Sequence, residues 1–151
     1  MNRAQLYVVG QFVLFALLAL AIVLFPPGQT PLLRVIGLIL IVSAFVVLAL
    51  AVGEHRAKNA MLPNITPTPN SQAALVESGI YARVRHPIYT AVLLGALGVA
   101  LAHGHIILML IALLMIVFFT FKSLYEESLL RAAYPQYSAY MKRTGRFLPF
   151  L

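Results

Sequence analysis

The sequence contains no cysteine and only four acidic residues, against eleven lysines and arginines. Without cysteine the chain can form no disulfide bond, no thiolate nucleophile and no cysteine-based metal site. Only 10% of the 151 residues are charged, whereas a water-soluble domain has about 25%. Since 62% of the residues are hydrophobic, the composition indicates an integral membrane protein.

Three long stretches, residues 4–33, 35–53 and 86–121, contain no aspartate, glutamate, lysine or arginine. A helix that spans a bilayer needs about 20 mainly apolar residues. The first two stretches each hold one such helix. The third is interrupted by His103-Gly104-His105 and holds two shorter ones.

The predicted fold class is therefore an all-α polytopic membrane protein with about four transmembrane helices, followed by cytoplasmic amphipathic helices at the C-terminus. The predicted spans are residues 5–25, 32–52, 87–102 and 105–121. The first span is longer than the 7–15 apolar residues of a signal peptide. It ends at Pro26-Pro27 instead of a small-residue cleavage site, so we expect it to be retained.

The positive charge has a simple topological interpretation. With four spans, ten of the eleven basic residues fall in segments on one side of the bilayer, and only Arg34 lies on the other. Short loops that carry lysine and arginine stay in the cytoplasm. We therefore expect both termini to be cytoplasmic, and we expect no nucleic-acid partner. The small size favours a prokaryotic inner membrane.

Polar residues are concentrated at the cytoplasmic ends of the third and fourth spans. Because these two spans run antiparallel, the start of one lies beside the end of the other. Arg85 and His86 should therefore lie close to Glu126 and Glu127, although about forty residues separate them in the sequence. The polar groups in the two segments are Tyr81, Arg83, Arg85, His86 and Tyr89, and Lys122, Tyr125, Glu126, Glu127 and Arg131.

The same region carries a family resemblance. It resembles the superfamily of isoprenylcysteine carboxyl methyltransferases and phospholipid methyltransferases over residues 75–150. The matching residues are Gly79-Ile80-Tyr81, Arg85-His86-Pro87-Ile88-Tyr89, Glu126-Glu127 with Leu130, Tyr137, Tyr140, and Arg146-Phe147-Leu148-Pro149. The position two residues after Tyr89 is often glycine in the family, and here it is Ala91.

The resemblance implies a methyltransferase that uses S-adenosyl-L-methionine, releases S-adenosyl-L-homocysteine and needs no metal. On this basis residues 1–53 are an N-terminal transmembrane hairpin, residues 54–86 a cytoplasmic connecting segment, and residues 87–151 form the catalytic core together with residues 79–86. The candidate catalytic residues are Arg85, Glu126 and Arg146. The candidate cofactor-binding residues are Tyr81, His86, Pro87, Tyr89, Gly95, Glu126 and Glu127.

Elementary chemistry fits this implication. His86 and the free N–H groups at the start of the third helix can bind the cofactor's carboxylate. One glutamate can bind its ammonium, or can pair with Arg85. Arg146, and also Arg143, can hold an anionic group of the acceptor in bidentate fashion. The acceptor itself is expected to be a lipid or a lipid-like molecule with a carboxylate, amine or thiol; the oligomeric state is not predicted.

Each assignment has an alternative that the sequence leaves open. The two glutamates fit a solvated helix face, with Glu127 spaced to pair with Arg131. The tyrosines after residue 133 fit an interfacial aromatic belt, and the basic tail fits attraction to anionic lipid. Gly95 fits helix packing as well as space for a ligand. For the chain as a whole, the alternative is a non-enzymatic membrane module that keeps the fold as a ligand sensor or scaffold.

Overall fold

The computed structural model describes residues 1–28, 30–69 and 73–149. Five α-helices account for most of this part of the chain. They are α1 (Arg3–Leu24), α2 (Pro31–Asn59), α3 (Pro87–His103), α4 (Ile106–Ala133) and α5 (Tyr137–Arg143), with a 3₁₀ turn at Gly79–Ala82. The all-helical prediction is confirmed. Helices α1, α2 and α4 are long and apolar enough to cross a membrane, and α3 is a shorter apolar helix.

Local sequence signals explain where the helices begin and end. Asn2 caps α1, and its side chain and that of Gln5 bond reciprocally to each other's backbone N–H groups at 2.9 Å. Pro31 and Pro87 occupy the first turns of α2 and α3, where the missing N–H costs no helical hydrogen bond. Gly104 ends α3 with a φ of +75°, a conformation that glycine adopts without strain.

Two predicted boundaries differ from the structure. The polar segment after Phe121 was expected as a separate helix, but it continues α4 without a break to Ala133. Helices α1 and α2 are joined as predicted, but α1 packs mainly on α4 and α2 mainly on α3. The first two helices therefore flank the α3–α4 pair. Outward-facing side chains such as Phe12 and Phe45 remain exposed on them, as expected for a lipid-facing surface.

Small residues bring α2 and α3 into backbone contact. A Cβ atom added at Gly37 would lie 2.5 Å from the Gly98 carbonyl oxygen and 2.5 Å from the Ala102 backbone nitrogen. A Cβ at Gly98 would lie 2.7 Å from the Gly37 carbonyl oxygen. Gly98 and Ala102 are therefore the positions at which the backbone of α3 approaches α2 most tightly among the described glycine contacts. This contact fixes the position of α3 along its own axis relative to α2, and with it the position of the first turn of α3.

We predict that Gly37→Ala lowers the melting temperature in detergent, because its methyl group must displace backbone atoms, and overpacking costs about 1–3 kcal/mol. Gly53→Ala is the matched control, since no atom lies within 4 Å of its added Cβ. Thermal unfolding followed by circular dichroism measures both. Equal melting temperatures for the two variants would contradict this account of the α2–α3 contact.

Candidate functional site

The segment that joins the 3₁₀ turn to α3 is paired with the C-terminal tail. Val84 and Gly145 form a short parallel bridge. The backbone N–H of Arg85 donates to the Gly145 carbonyl at 2.9 Å, and that of His86 donates to the Arg146 carbonyl at 3.0 Å. The C-terminal tail therefore holds Arg85-His86-Pro87, which we call the Arg-His-Pro corner, in place where α3 begins.

The carboxylate of Glu127, on α4, is the centre of the polar cluster. Its residue is only 1% exposed. The Arg85 Nε donates to Oε1 at 2.9 Å, and the Arg146 Nη2 donates to Oε2 at 2.9 Å. The His86 Nε2 lies 3.3 Å from Oε1, and Arg85 also donates to the carbonyl of Met141 at 3.1 Å. Because two guanidinium groups share this carboxylate, its charge is compensated within the protein.

The neighbouring Glu126 has a different environment. Its Oε2 accepts a hydrogen bond from the Tyr89 hydroxyl at 2.6 Å and lies 3.6 Å from the His86 Nδ1. The imidazole of His86 stacks on the ring of Tyr89, with 5.2 Å between centroids and 3° between planes. The Glu126 side chain is 22% exposed. Its Oε1 forms no hydrogen bond within the described part of the chain.

A cavity of about 170 Å³ lies beside Glu126. On one side it is bounded by the first turn of α3, by α4 and by α5. On the other side it is covered by residues 61–69, which we call the roof, and by residues 73–76. Apolar and aromatic side chains make up much of the lining: Met61, Leu62, Leu75, Val76, Ile88, Leu130, Tyr134, Tyr137 and Tyr140.

Two tyrosines connect the cavity wall to α5. Tyr81 is buried in the 3₁₀ turn, and its carbonyl oxygen accepts a hydrogen bond from the Tyr140 hydroxyl at 2.6 Å. Burial raises the pKa of both phenols well above the usual range, so both stay protonated at physiological pH. The Tyr140 hydroxyl therefore remains a donor and holds α5 on the wall. Tyr134, Tyr137 and Tyr140, for which an interfacial aromatic belt was the alternative, all line the cavity.

The predicted convergence of the Arg-His-Pro corner with the two glutamates is confirmed. Six of the predicted residues line the cavity: Tyr81, Arg85, His86, Pro87, Tyr89 and Glu126. Glu127 and Arg146 pair with each other outside the lining. The predicted pairing of Glu127 with Arg131 is not an ion pair, because the Arg131 Nε bonds to the Glu127 carbonyl oxygen instead, at 3.3 Å.

Gly95 lies away from the other predicted site residues. It lines a second, apolar cavity of about 320 Å³ inside the helical bundle. All four long helices contribute to that cavity, through Phe15, Leu18, Ile41, Ala44, Phe45, Leu48, Ala91, Val92, Gly95, Ala96, Val99 and Met115. An added Cβ at Gly95 would meet only the Ala44 Cβ, at 3.7 Å. Gly95 therefore leaves open space here and makes no tight helix contact.

Sequence reasoning missed one buried interaction. Lys122 was expected at the cytoplasmic surface, but it is 1% exposed and donates to the side chain of Gln11 on α1. The available signal was Gln11 itself, a polar residue in the middle of an apolar helix. The roof was also not foreseen as a wall of the site, because its prolines indicate only an irregular segment.

Residues 32–137 match the family model described as phospholipid methyltransferase. The chain belongs to that family. It is also 35% identical over 78 residues to the cobalt-zinc-cadmium resistance protein CzcN of Cupriavidus metallidurans; this match covers 51% of the chain and 36% of the relative.

Among solved structures, this member of the phospholipid methyltransferase family is similar to a eukaryotic intramembrane Ras methyltransferase, isoprenylcysteine carboxyl methyltransferase. The TM-score is 0.66 at 22% identity, and the match covers 99% of this chain and 54% of that protein. The two therefore share a fold. The chain spans about half the length of the solved structure and about a third of the length of the curated relative.

We predict that Glu127→Gln destabilises the protein by about 3–5 kcal/mol, the usual cost of removing one partner from a buried ion pair. The change leaves the buried guanidinium of Arg85 without its counter-ion. Glu126→Gln is the matched control, because the adjacent side chain is partly exposed and has no arginine partner. Thermal unfolding in detergent compares them, and equal losses of stability would refute the central role of Glu127.

Proposed function

We propose that this chain is an integral membrane methyltransferase that binds S-adenosyl-L-methionine in the cavity beside Glu126 and methylates a lipid or lipid-like acceptor. The observation that carries the proposal is the difference in contacts between two adjacent glutamates. Glu127 is fully engaged by protein cations, whereas Glu126 faces the cavity with one oxygen that has no hydrogen-bond partner among the described residues. A carboxylate in such a position suits a cationic ligand.

The cavity lining matches the chemical parts of S-adenosyl-L-methionine. Glu126 can accept hydrogen bonds from the ligand's ammonium. The imidazole of His86 and the N–H groups of the first turn of α3 can receive its carboxylate. Apolar side chains such as Leu75, Ile88 and Leu130 can enclose the adenine. Of the predicted cofactor-binding residues, all but Gly95 and Glu127 line this cavity.

The protein's own contribution to methyl transfer is alignment. When bound, S-adenosyl-L-methionine supplies a methyl carbon on a sulfonium, to which a lone pair of the acceptor bonds in line as the C–S electron pair passes to sulfur. Because the acceptor is the nucleophile, the chain needs only to hold two molecules in line and exclude water. Glu126 acts best at the amino-acid end, since a carboxylate against the sulfonium would stabilise the reactant more than the transition state.

Arg85 and Arg146 act as positioning residues in this proposal. Both guanidinium groups are committed to Glu127, so they hold the corner, the tail and α4 together around the ligand. Arg146 has a 25% exposed side chain, which leaves part of its guanidinium available to an anionic group of the acceptor. Arg143 instead pairs with Glu77 at the surface.

The apolar cavity inside the bundle suits a hydrocarbon chain. Its lining contains no charged side chain, and it is formed by helices that face lipid. The relatives favour a lipid-linked acceptor: the family is described as phospholipid methyltransferase, and the similar structure as an isoprenylcysteine carboxyl methyltransferase. The positive segments favour a cytoplasmic opening of the cavity beside Glu126, with both termini in the cytoplasm.

We predict that Glu126→Gln weakens the binding of S-adenosyl-L-homocysteine by about 10- to 100-fold, because a hydrogen bond to a charged group contributes about 1.5–3 kcal/mol. Isothermal titration calorimetry of the protein purified in detergent measures the change. Glu126→Gln should unfold at the wild-type temperature. If this variant binds S-adenosyl-L-homocysteine as tightly as wild type does, Glu126 is not part of the binding site.

Turnover is tested by incubating the wild-type protein with radiolabelled S-adenosyl-L-methionine and total membrane lipids. A labelled lipid product supports the proposed function and identifies the acceptor class. Binding of S-adenosyl-L-homocysteine without any labelled product would favour the alternative of a ligand sensor. If neither cofactor form binds at millimolar concentration, the proposal fails.

We predict that Gly95→Leu lowers turnover of a long-chain acceptor at least fivefold and leaves the affinity for S-adenosyl-L-homocysteine unchanged. Its side chain fills the apolar cavity, which lies apart from the one beside Glu126. Turnover of a short-chain analogue of the acceptor is the control and should be preserved. If cofactor affinity falls instead, Gly95 belongs to the cofactor site as the sequence predicted.

A further inference from the structure

Lys122 is a buried cation that has no carboxylate within ion-pair distance among the described residues, although the charge of Glu126, one turn along α4, acts on it from farther away. The residue is 1% exposed on α4, one turn before Glu126. The structure, over its described residues, records no ion pair for its ammonium. Burying an unpaired charge is expensive. A lysine in this position therefore calls for an explanation beyond the packing of α4.

Neutral groups from three directions surround the ammonium. The Nζ donates to the Gln11 Oε1 on α1 and to the Ile65 carbonyl oxygen of the roof, the latter at 3.3 Å. It also lies 5.0 Å from the ring centroid of Tyr89 and 5.6 Å from that of Phe119. Aromatic faces attract a desolvated cation. One ammonium thus connects α1, the roof and the first turn of α3.

Two of these connections bear on the cavity beside Glu126. Ile65 lies between Asn64 and Thr66, which both line that cavity. Tyr89 lines it as well and donates to Glu126. The ammonium therefore bonds to the roof and lies near the ring of Tyr89, although Lys122 does not itself line the cavity.

Few other hydrogen bonds link the middle of the roof to the rest of the described chain. At its start the Met61 carbonyl lies 3.2 Å from the His55 Nδ1, and after its end Asn59 exchanges two hydrogen bonds with the backbone of Ala74. Between these anchors, Asn64 bonds only locally, to Thr66 and Thr68. Prolines at 63, 67 and 69 have no N–H to donate. Among the described residues, the Ile65 carbonyl is thus the one group in the middle of the roof with a hydrogen bond to a residue outside it, beside the fully buried ring of Pro67.

We propose that Lys122 is a positioning residue that holds the roof closed over the cavity and supports Tyr89 beneath it. An ammonium serves this role because it can donate several hydrogen bonds at once and still attract two rings. The contact with the roof does not depend on what the cavity binds. Only the effect on ligand release rests on the proposed function.

The test uses the absence of cysteine from the sequence. A single cysteine placed at Thr66, in the roof, is then the only thiol in the protein. With Lys122→Met we expect a water-soluble maleimide to label this thiol at least fivefold faster, in protein without ligand. Lys142→Met is the matched control, since Lys142 is exposed on α5, and its labelling rate should equal that of wild type.

The fold of the variant is checked independently. Lys122→Met should keep or raise the melting temperature, because methionine fills the same space without a buried charge. A single cysteine at the exposed Ser138 should be labelled at the same rate with and without the change. Faster labelling at position 66 alone supports the proposal that Lys122 holds the roof closed. Faster labelling at both positions would indicate general unfolding and would overturn the proposal. If the methionine variant does not fold, Lys122→Gln gives the same comparison.

Ligand release provides the second readout. S-adenosyl-L-homocysteine should dissociate at least fivefold faster from Lys122→Met than from wild type, as measured by stopped-flow displacement. Equal labelling at position 66 in Lys122→Met and wild type would overturn the inference. If labelling accelerates but wild type binds no S-adenosyl-L-homocysteine, the proposed function fails, whereas the proposal that Lys122 holds the roof closed is supported.

Discussion

The buried carboxylate of Glu127 is the interaction on which the site depends. Two arginines that are sixty-one residues apart in the sequence, Arg85 and Arg146, reach the same carboxylate. One belongs to the corner before α3 and the other to the tail after α5, so a single charge joins three separate segments. In a protein with only four acidic residues, this arrangement also gives the buried guanidinium of Arg85 and the partly exposed one of Arg146 a common counter-ion.

The adjacent glutamates differ because successive residues on a helix point about 100° apart. That rotation turns Glu127 toward the tail and Glu126 toward the cavity. The stacked pair of His86 and Tyr89 lies between them and contacts both carboxylates. A change at one glutamate therefore reaches the other through these rings, although their tasks are separate.

Much of the fold and the convergence of the polar groups could be predicted from the sequence. Charge-free runs define the membrane helices, and antiparallel order brings Arg85 beside the glutamates. The sequence could not assign the two glutamates, because their orientation depends on where Arg146 returns, and that position is set by the pairing of Gly145 with Val84. Nor did it reveal the burial of Lys122, since a lysine directly after a predicted membrane span is usually solvated. The contact between Gly37 and Gly98 is also tertiary and leaves no local signature on α2.

The parallel bridge between Val84 and Gly145 has a consequence for biosynthesis. Ribosomes make the chain from the N-terminus, and helices α1 to α4 can enter the bilayer as they emerge. The backbone partners of the Arg-His-Pro corner follow α4 and α5 in the sequence and are therefore translated after them. Until they leave the exit tunnel, Arg85 and Glu127 lack the peptide groups that orient them. A competent pocket is thus assembled only after Gly145 and Arg146 have been translated, later than the four helices that form the bundle.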